Sequence, residues 1–306
     1  LYRISEQAEV TGNLGGRMMA YFDNGNKLFD DARKNQYAIG AYNINNLEWT
    51  RAILRAAAET NTPVLIQVSM GAAKYMGGYK FVKDMVEDQI DAMEIKVPVI
   101  LNLDHGDYDA AIECINLGYS SVMFDGHKLP IEENYAKTKE IVQLAHSRGI
   151  AVEAEIGKVG ENQDTSSGEL ADVEDAMAFA AMGVDRLACG IGNIHGIYPA
   201  NWTGLDFDRL QEIANAIDIP LVLHGGSGIP REQVQKAISM GIAKVNINTE
   251  FQLAFQDATR KYIENELDLN KEQKGYDPRK LLLPGTDAIT AKMKDMIEWL
   301  GTPAVA

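Results

Sequence analysis

Cysteine is scarce in this 306-residue chain, and basic residues are fewer than acidic ones. The two cysteines, Cys114 and Cys189, cannot build the disulfide framework of a small secreted protein, so we expect reduced, buried thiols in a cytoplasmic protein. Lys and Arg number 29 against 44 Asp and Glu, and the formal net charge is −15. A nucleic-acid-binding surface needs an excess of positive charge, so we expect no nucleic-acid partner.

Long apolar runs are missing as well. No segment reaches the length of a membrane span, and the first residues show no signal-peptide pattern, so we expect no membrane association. Residues 1–20 show no clean hydrophobic period and contain the pair Met18-Met19; we interpret this stretch as a leader or an expression remnant. No Gly- or Ser-rich linker interrupts the rest, which favours a single domain over 21–306.

The chain does contain a repeated strand–helix pattern. Short β-rich runs alternate with longer amphipathic segments, several of which end in glycine, as helices commonly do. This alternation predicts parallel strands joined by right-handed crossovers, and eight repeats favour a closed (β/α)8 TIM barrel over an open α/β sheet. The predicted strands are 38–45, 63–69, 98–104, 121–125, 151–157, 186–193, 220–226 and 244–249. From about Leu253 the tail is predicted to form extra C-terminal helices.

Three of the five histidines fall at the carboxyl ends of predicted strands, where barrel enzymes carry their active sites. His105 follows the third strand, His195 the sixth, and His224 ends the seventh, each beside a glycine that permits close approach. Three imidazoles with one open position are the usual ligand set of a catalytic zinc. His127 and His146 fall in a loop and a helix, so we expect both at the surface.

Acidic residues crowd the same rim. Asp104 precedes His105, Asp125 ends the fourth strand, and Glu153 and Glu155 alternate along the fifth, so that both face the same side. Charges inside a barrel are costly unless they are paired or bind a metal. The group therefore suits a cation with a general acid or base nearby.

Small and amide residues follow the last two strands, in "HGGSG" (224–228) and "NINT" (246–249). The loops after strands seven and eight form the usual phosphate site of a TIM barrel. The candidate phosphate-binding residues are Gly225, Gly226, Ser227, Asn246, Asn248 and Thr249.

Several segments, including "NLDHGDY", "VEAEIGKVG", "GIGNIHGIYPANW" and "KVNINTE", resemble class II, zinc-dependent fructose-1,6-bisphosphate aldolases over roughly 29–279. The match is nearest to the firmicute-type branch. The resemblance implies reversible cleavage of fructose 1,6-bisphosphate to dihydroxyacetone phosphate and glyceraldehyde 3-phosphate, a step of glycolysis and gluconeogenesis. It also implies Zn²⁺ that stabilises the enediolate, and a homodimer or a higher homo-oligomer. Independently, the sixth strand carries no lysine and Lys244 lies at the start of the eighth, which disfavours a Schiff-base aldolase.

The resemblance implies metal and catalytic roles. His105, His195 and His224 would bind zinc, Glu155 would approach the metal, and Asp125 would support the site. Asp104 would be the acid/base acting on the C4 hydroxyl of the substrate.

It also implies substrate contacts. Asn43 and Ser69 would hold one half of the sugar. Arg279 would reach the distal phosphate of the substrate bound in the neighbouring subunit of a dimer. The Gly196 and Gly225 carbonyls would line a site for Na⁺ or K⁺. Dihydroxyacetone phosphate would be held by Gly196, Gly225, Ser227, Asn246, Asn248 and Thr249.

The loop "VGENQD" (159–164) departs from the family pattern. Gln163 stands where relatives carry the glutamate that exchanges a proton with the enediolate, and an amide cannot accept that proton. Glu161, two residues away, is the candidate replacement; otherwise proton exchange is slow.

Other readings stay open. Tagatose-1,6-bisphosphate aldolases differ in configuration at one hydroxyl, although "HGGSG" and Asn248 favour fructose. A metal-dependent sugar-phosphate epimerase on the same barrel, or a catalytically inactive phosphate-binding scaffold, is a further alternative. Imidazole ligands also accept Co²⁺ or Mn²⁺.

Overall fold

The computed structural model describes residues 21–161 and 168–305. The barrel consists of eight parallel strands: β1 Ile39–Asn43, β2 Val64–Ser69, β3 Val99–Gly106, β4 Ser121–Phe124, β5 Ala151–Ile156, β7 Arg186–Cys189, β9 Leu221–Leu223 and β10 Ile242–Ile247. They close in the order β1-β10-β9-β7-β5-β4-β3-β2. Two short strands, β6 Gly160–Glu161 and β8 Ile194–His195, pair with each other above the barrel.

Helices surround the barrel. They are α1 Asn26–Asn35, α2 Leu47–Thr60, α3 Met70–Met76, α4 Tyr79–Ala92, α5 Tyr108–Leu117, α6 Ile131–His146, α7 Val173–Met182, α8 Phe207–Ala216, α9 Arg231–Ser239, α10 Thr249–Glu264, α11 Pro278–Leu281 and α12 Leu283–Leu300. Helix α12 packs against α2 and α10, where the Thr290 hydroxyl donates to the Ala52 carbonyl. The predicted (β/α)8 barrel with extra C-terminal helices is confirmed.

Local sequence explains where the helices begin and end. The carboxylate of Asp107 accepts a hydrogen bond from the Ala110 N–H at the start of α5, and Asp172 caps α7 in the same way. Both helices end at a glycine in the left-handed region, Gly118 and Gly183. These caps determine where each helix begins and ends, and therefore where the next strand can start.

Two predicted strands are shorter than expected. The sixth ends at Cys189, because Gly192 has a φ of +88° and the Asn193 side chain accepts a hydrogen bond from the Ile191 N–H in place of a ladder partner. The seventh ends at Leu223, since Gly225 has a φ of +61°. These breaks place His224 on irregular backbone just after β9 and His195 in the separate short strand β8.

The eighth strand is shifted toward the N-terminus. It covers Ile242–Ile247, whereas the prediction ran from 244 to 249, and Thr249 instead opens α10. The helical tail therefore starts at Thr249 and not near Leu253, which brings a helix N-terminus to the rim of the barrel.

The barrel interior is layered. Its lower layer is apolar, built from Ile39, Leu65 and Ile100, and closed from below by Phe29 of α1. Polar and charged side chains fill the layers above it. A separate, larger apolar core lies between the strands and the surrounding helices. Cys114 and Cys189 are free and buried, as predicted.

The predicted leader over 1–20 lies outside the described residues, and the single domain over 21–306 stays a prediction. None of the helices in the two described ranges combines the length and the apolar character needed to cross a bilayer.

Candidate metal centre and active site

Three imidazoles meet at the carboxyl end of the barrel. The ring centroid of His105 lies 4.7 Å from that of His224 and 5.0 Å from that of His195. The centroids of His195 and His224 are 5.8 Å apart. One nitrogen of each ring lies within 4.8 Å of the others. The structure thus brings together the three residues that the sequence predicts as zinc ligands.

Hydrogen bonds decide which nitrogen of His105 and His224 faces this common point. His105 Nδ1 lies 2.8 Å from Asp125 Oδ2, and His224 Nε2 lies 3.0 Å from Glu153 Oε1. The remaining nitrogens, His105 Nε2 and His224 Nδ1, are buried and make no hydrogen bond with the described residues. An unsatisfied buried polar atom costs about 1–3 kcal/mol. A shared metal ion would satisfy both, so the residues present fit a zinc ion.

Backbone geometry supports the same arrangement. His105 has a φ of +49°, a left-handed conformation that is uncommon for a residue with a side chain and often found at functional sites. At Gly225, an added Cβ would lie 2.0 Å from the Ile194 carbonyl oxygen. Only glycine therefore allows the loop after β9 to approach β8 this closely.

The electrostatic environment attracts a cation. Burial disfavours the charged form of His105, but Asp104, Asp125 and Glu155 outweigh it and raise the pKa of His105 to about 10. Burial and the neighbouring His224 and His105 lower the pKa of His195 to about 4. The carboxylates that favour a proton on His105 would equally favour a divalent cation in its place.

His127 is not the surface residue that the sequence predicts. It is partly buried, and its Nδ1 lies 2.5 Å from Asp125 Oδ1. Asp125, His127 and buried Glu155 each offer one donor atom within 4.8 Å of the others. Glu155 Oε2 also lies 3.1 Å from His224 Nδ1, although not in line for a hydrogen bond. By contrast, His146 is exposed, as predicted, and it pairs with Asp185.

Asp104 is buried next to the three histidines. Its Oδ2 accepts a hydrogen bond of 2.8 Å from Asn43 Nδ2, and its Oδ1 lies 3.4 Å from Asn246 Nδ2. Burial opposes ionisation, but His105, His224 and the hydrogen bond from Asn43 lower the pKa of Asp104. Asn43 Oδ1 accepts from Gln67 Nε2 at 2.9 Å, which fixes the amide orientation. The carboxylate is therefore held ionised and oriented.

A cavity of about 220 Å³ opens above this group. Besides Asp104, His105 and His195, it is lined by predicted substrate residues: Asn43, Ser69, Gly196, Gly225, Ser227, Asn246, Asn248 and Thr249. One end of the cavity meets the N-terminus of α10, where the N–H groups of Asn248 and Glu250 lie 3.2 and 3.3 Å from Ser227 Oγ. These two N–H groups donate to the Ser227 hydroxyl, and the positive end of the helix dipole at this point favours an anionic ligand.

Three of the predicted site residues do not line this cavity. The Gly226 N–H donates to the Asn246 carbonyl at 2.9 Å and Gly226 does not line the cavity, so its part in phosphate binding stays a prediction. Arg279 is exposed, pairs with Asp277 and lines a different cavity. Glu161 pairs through its backbone with His195 in β6 and β8, while Gln163 lies outside the described residues.

Sequence reasoning missed the residues that hold the loops. The Tyr198 hydroxyl donates to the Gly225 carbonyl at 2.8 Å and accepts from the Ile194 N–H at 3.0 Å. Asn193 Nδ2 donates to the His224 carbonyl at 2.9 Å. The signal was present, because both residues stand in the polar, glycine-rich stretch around His195.

Comparisons with known proteins agree with this site. The family model for class-II fructose-bisphosphate aldolase matches residues 23–303. Fructose-bisphosphate aldolase of Streptococcus pneumoniae serotype 4 is 54% identical over 287 residues, covering 92% of this chain and 98% of the relative. The enzyme of that name from Ureaplasma parvum is 53% identical over 268 residues, covering 87% and 92%. The crystal structure of the YdjI aldolase from Escherichia coli K12 has a TM-score of 0.78 at 30% identity and covers 92% of this chain and 98% of that one.

These matches confirm the predicted resemblance, including its firmicute-type branch. A barrel with three converging histidines, an adjacent aspartate and relatives of this identity leads to one assignment: the chain belongs to the class-II fructose-bisphosphate aldolase family.

Proposed function

We propose that this chain is a Zn²⁺-dependent lyase that reversibly cleaves fructose 1,6-bisphosphate to dihydroxyacetone phosphate and glyceraldehyde 3-phosphate. The observation that carries the proposal is the convergence of three imidazoles, two of which line the same cavity as the buried Asp104 carboxylate. Family membership and relatives that bear the fructose-bisphosphate aldolase name support it.

His105, His195 and His224 would hold the ion. A divalent cation bound there supplies a Lewis acid, which stabilises negative charge on the substrate oxygen while the carbon–carbon bond breaks. Lys244 does not offer a Schiff-base alternative, because its Nζ is fully buried and lies 2.7 Å from Glu153 Oε2.

Asp104 is the proposed acid/base. In the cleavage direction it takes the proton of the C4 hydroxyl, and in the reverse direction it returns it. The hydrogen bond from Asn43 to Oδ2 orients the carboxylate toward the cavity, and Oδ1, which accepts only a 3.4 Å hydrogen bond from Asn246, keeps a lone pair for the substrate. Proton exchange at dihydroxyacetone phosphate is proposed for Glu161.

The phosphate of dihydroxyacetone phosphate is proposed to lie at the start of α10. Ser227, Asn248 and Thr249 line the cavity there and offer hydroxyl, amide and backbone donors. Neutral donors suit a chain with a net charge of −15. The Gly196 and Gly225 carbonyls are proposed to bind Na⁺ or K⁺; the Gly225 carbonyl already accepts from Tyr198, which leaves one lone pair.

We further propose a homodimer in which Arg279 completes the partner's site. Its side chain is 88% exposed and lines a cavity separate from the substrate cavity of its own chain. An exposed guanidinium is well suited to a phosphate on another subunit. A cytoplasmic location is proposed on the reduced cysteines alone.

An assay of purified protein on fructose and tagatose 1,6-bisphosphate, before and after chelation, tests the function. We expect faster release of triose phosphates from fructose bisphosphate, loss on chelation and recovery with Zn²⁺. Faster cleavage of the tagatose sugar would overturn the fructose assignment, and an isomeric sugar product would indicate an epimerase.

A further inference from the structure

A buried charged cluster lies directly beneath the metal-binding histidines. It consists of Glu153 on β5, Arg186 on β7 and Lys244 on β10, and all three side chains are 0% exposed. Buried charges are strongly destabilising unless they are well paired. None of the three lines the substrate cavity, so the proposed reaction leaves this cluster without a role.

Glu153 stands at the centre of the cluster. Its Oε2 lies 2.7 Å from Lys244 Nζ and 3.8 Å from Arg186 Nε, while its Oε1 lies 3.0 Å from His224 Nε2. The carboxylate therefore bridges a buried ammonium and a proposed zinc ligand.

The contact with Glu153 determines which nitrogen of His224 is free. A carboxylate accepts a hydrogen bond, so it requires the proton of the imidazole to be on Nε2, and the lone pair is then on Nδ1. His105 is held in the opposite sense, with Nδ1 on Asp125 and Nε2 free. The two rings can bind one ion only if His105 presents Nε2 to it and His224 presents Nδ1.

Arg186 is anchored differently. Its Nη2 donates to Ser121 Oγ at 2.6 Å, and its guanidinium lies 4.7 Å above the Phe29 ring of α1. These contacts hold Arg186 to the lower barrel, which leaves Lys244 as the close partner of Glu153 Oε2.

We propose that Lys244, acting through Glu153, is a positioning residue for the metal site: the ion pair fixes the carboxylate against His224 Nε2, so that His224 presents Nδ1 to the ion. This inference rests on the proposed zinc-dependent function. Lys244 would then act on metal affinity at one ligand without touching substrate.

The test compares zinc binding of the full-length wild type with that of Lys244→Met, by competition with a chromophoric chelator at fixed pH. We expect the variant to bind zinc about 10–100-fold more weakly, the usual effect of losing a group that orients a metal ligand. Lys294→Met is the matched control, since it removes an exposed lysine that pairs with Glu59 at 2.9 Å, and its affinity should equal that of the wild type.

Histidine ¹⁵N–¹H spectra of the zinc-loaded proteins give a second readout that general destabilisation would not produce. The His224 resonances should shift in Lys244→Met while those of His105 stay in place. Zinc affinity and His224 resonances like those of the wild type would overturn the inference. Wild-type protein that binds no zinc at His224 would instead overturn the proposed function.

If Lys244→Met does not fold, the double variant Glu153→Gln/Lys244→Met removes both charges together and avoids an unpaired buried ion. Weakened zinc binding in the folded double variant supports the role of the pair, and wild-type affinity contradicts it.

Discussion

Asp125 and His105 form a hydrogen bond of 2.8 Å between Oδ2 and Nδ1, on a histidine whose backbone is held at a φ of +49°. The carboxylate and the strained backbone together aim Nε2 at the point where His195 and His224 converge. Orientation of this ring therefore depends on a residue that does not itself need to touch the metal.

Asp125→Ala should weaken zinc binding about 10–100-fold, because His105 loses the partner that fixes its tautomer and ring orientation. Competition with a chelator measures the affinity. Asp88→Ala, an exposed aspartate on α4, is the control and should change nothing. Equal affinities for the two variants would show that Asp125 does not orient His105.

Asp104→Ala should retain zinc and lose cleavage. Removal of a positioned acid/base typically costs about 10²–10⁴-fold in rate, so kcat should fall within that range. Zinc content and steady-state cleavage are measured on the same preparation. Cleavage within a few-fold of the wild-type rate would remove Asp104 from the mechanism, and loss of zinc would make it a ligand.

Arg279 allows the subunit arrangement to be tested by complementation. Arg279→Ala should keep zinc and raise KM, since the removed side chain is exposed and its guanidinium pairs only with Asp277 among the described residues. Co-refolding equal amounts of Arg279→Ala and Asp104→Ala chains should restore about a quarter of wild-type activity, because half of the dimers are mixed and each holds one complete site.

The same mixture distinguishes this arrangement from one in which Arg279 serves the active site of its own chain. In that case every site in the mixed dimers lacks either Asp104 or Arg279, and activity stays at the mean of the two parent variants. A monomeric molar mass in solution would also contradict the dimer.

Glu161→Gln should slow hydrogen exchange on dihydroxyacetone phosphate by about tenfold or more, since an amide cannot carry the proton. NMR in D₂O follows the exchange, and zinc content serves as the control. Gln163→Ala should leave the exchange rate unchanged. The opposite pattern, with Gln163→Ala slow and Glu161→Gln normal, would contradict the assignment of Glu161.

The sequence was sufficient for the barrel and for the three imidazoles, for a physical reason. Parallel strands bring their carboxyl ends to one edge, so His105, His195 and His224 could be placed together without knowledge of strand register. The positions of Gly192 and Gly225 were visible, but their positive φ angles, which shorten two strands, were not.

The buried cluster below the histidines could not be predicted in the same way. Period-two alternation puts Glu153 inside the barrel, but its contact with Lys244 joins residues 91 positions apart and depends on the register of strands that are not neighbours in sequence. His127 was misjudged for a different reason: its ring turns back to Asp125, two residues earlier, and the loop conformation that allows this is not evident from the sequence.

Zinc titration of the metal-free protein shows whether His105, His195 and His224 form one catalytic zinc site. Activity on fructose 1,6-bisphosphate should rise in proportion to added Zn²⁺ and level off near about one equivalent per chain, as expected for a single three-histidine catalytic site. His224→Ala should bind zinc far more weakly and stay inactive over the same range. Full activity in the chelated protein, or wild-type zinc affinity in His224→Ala, would contradict the account.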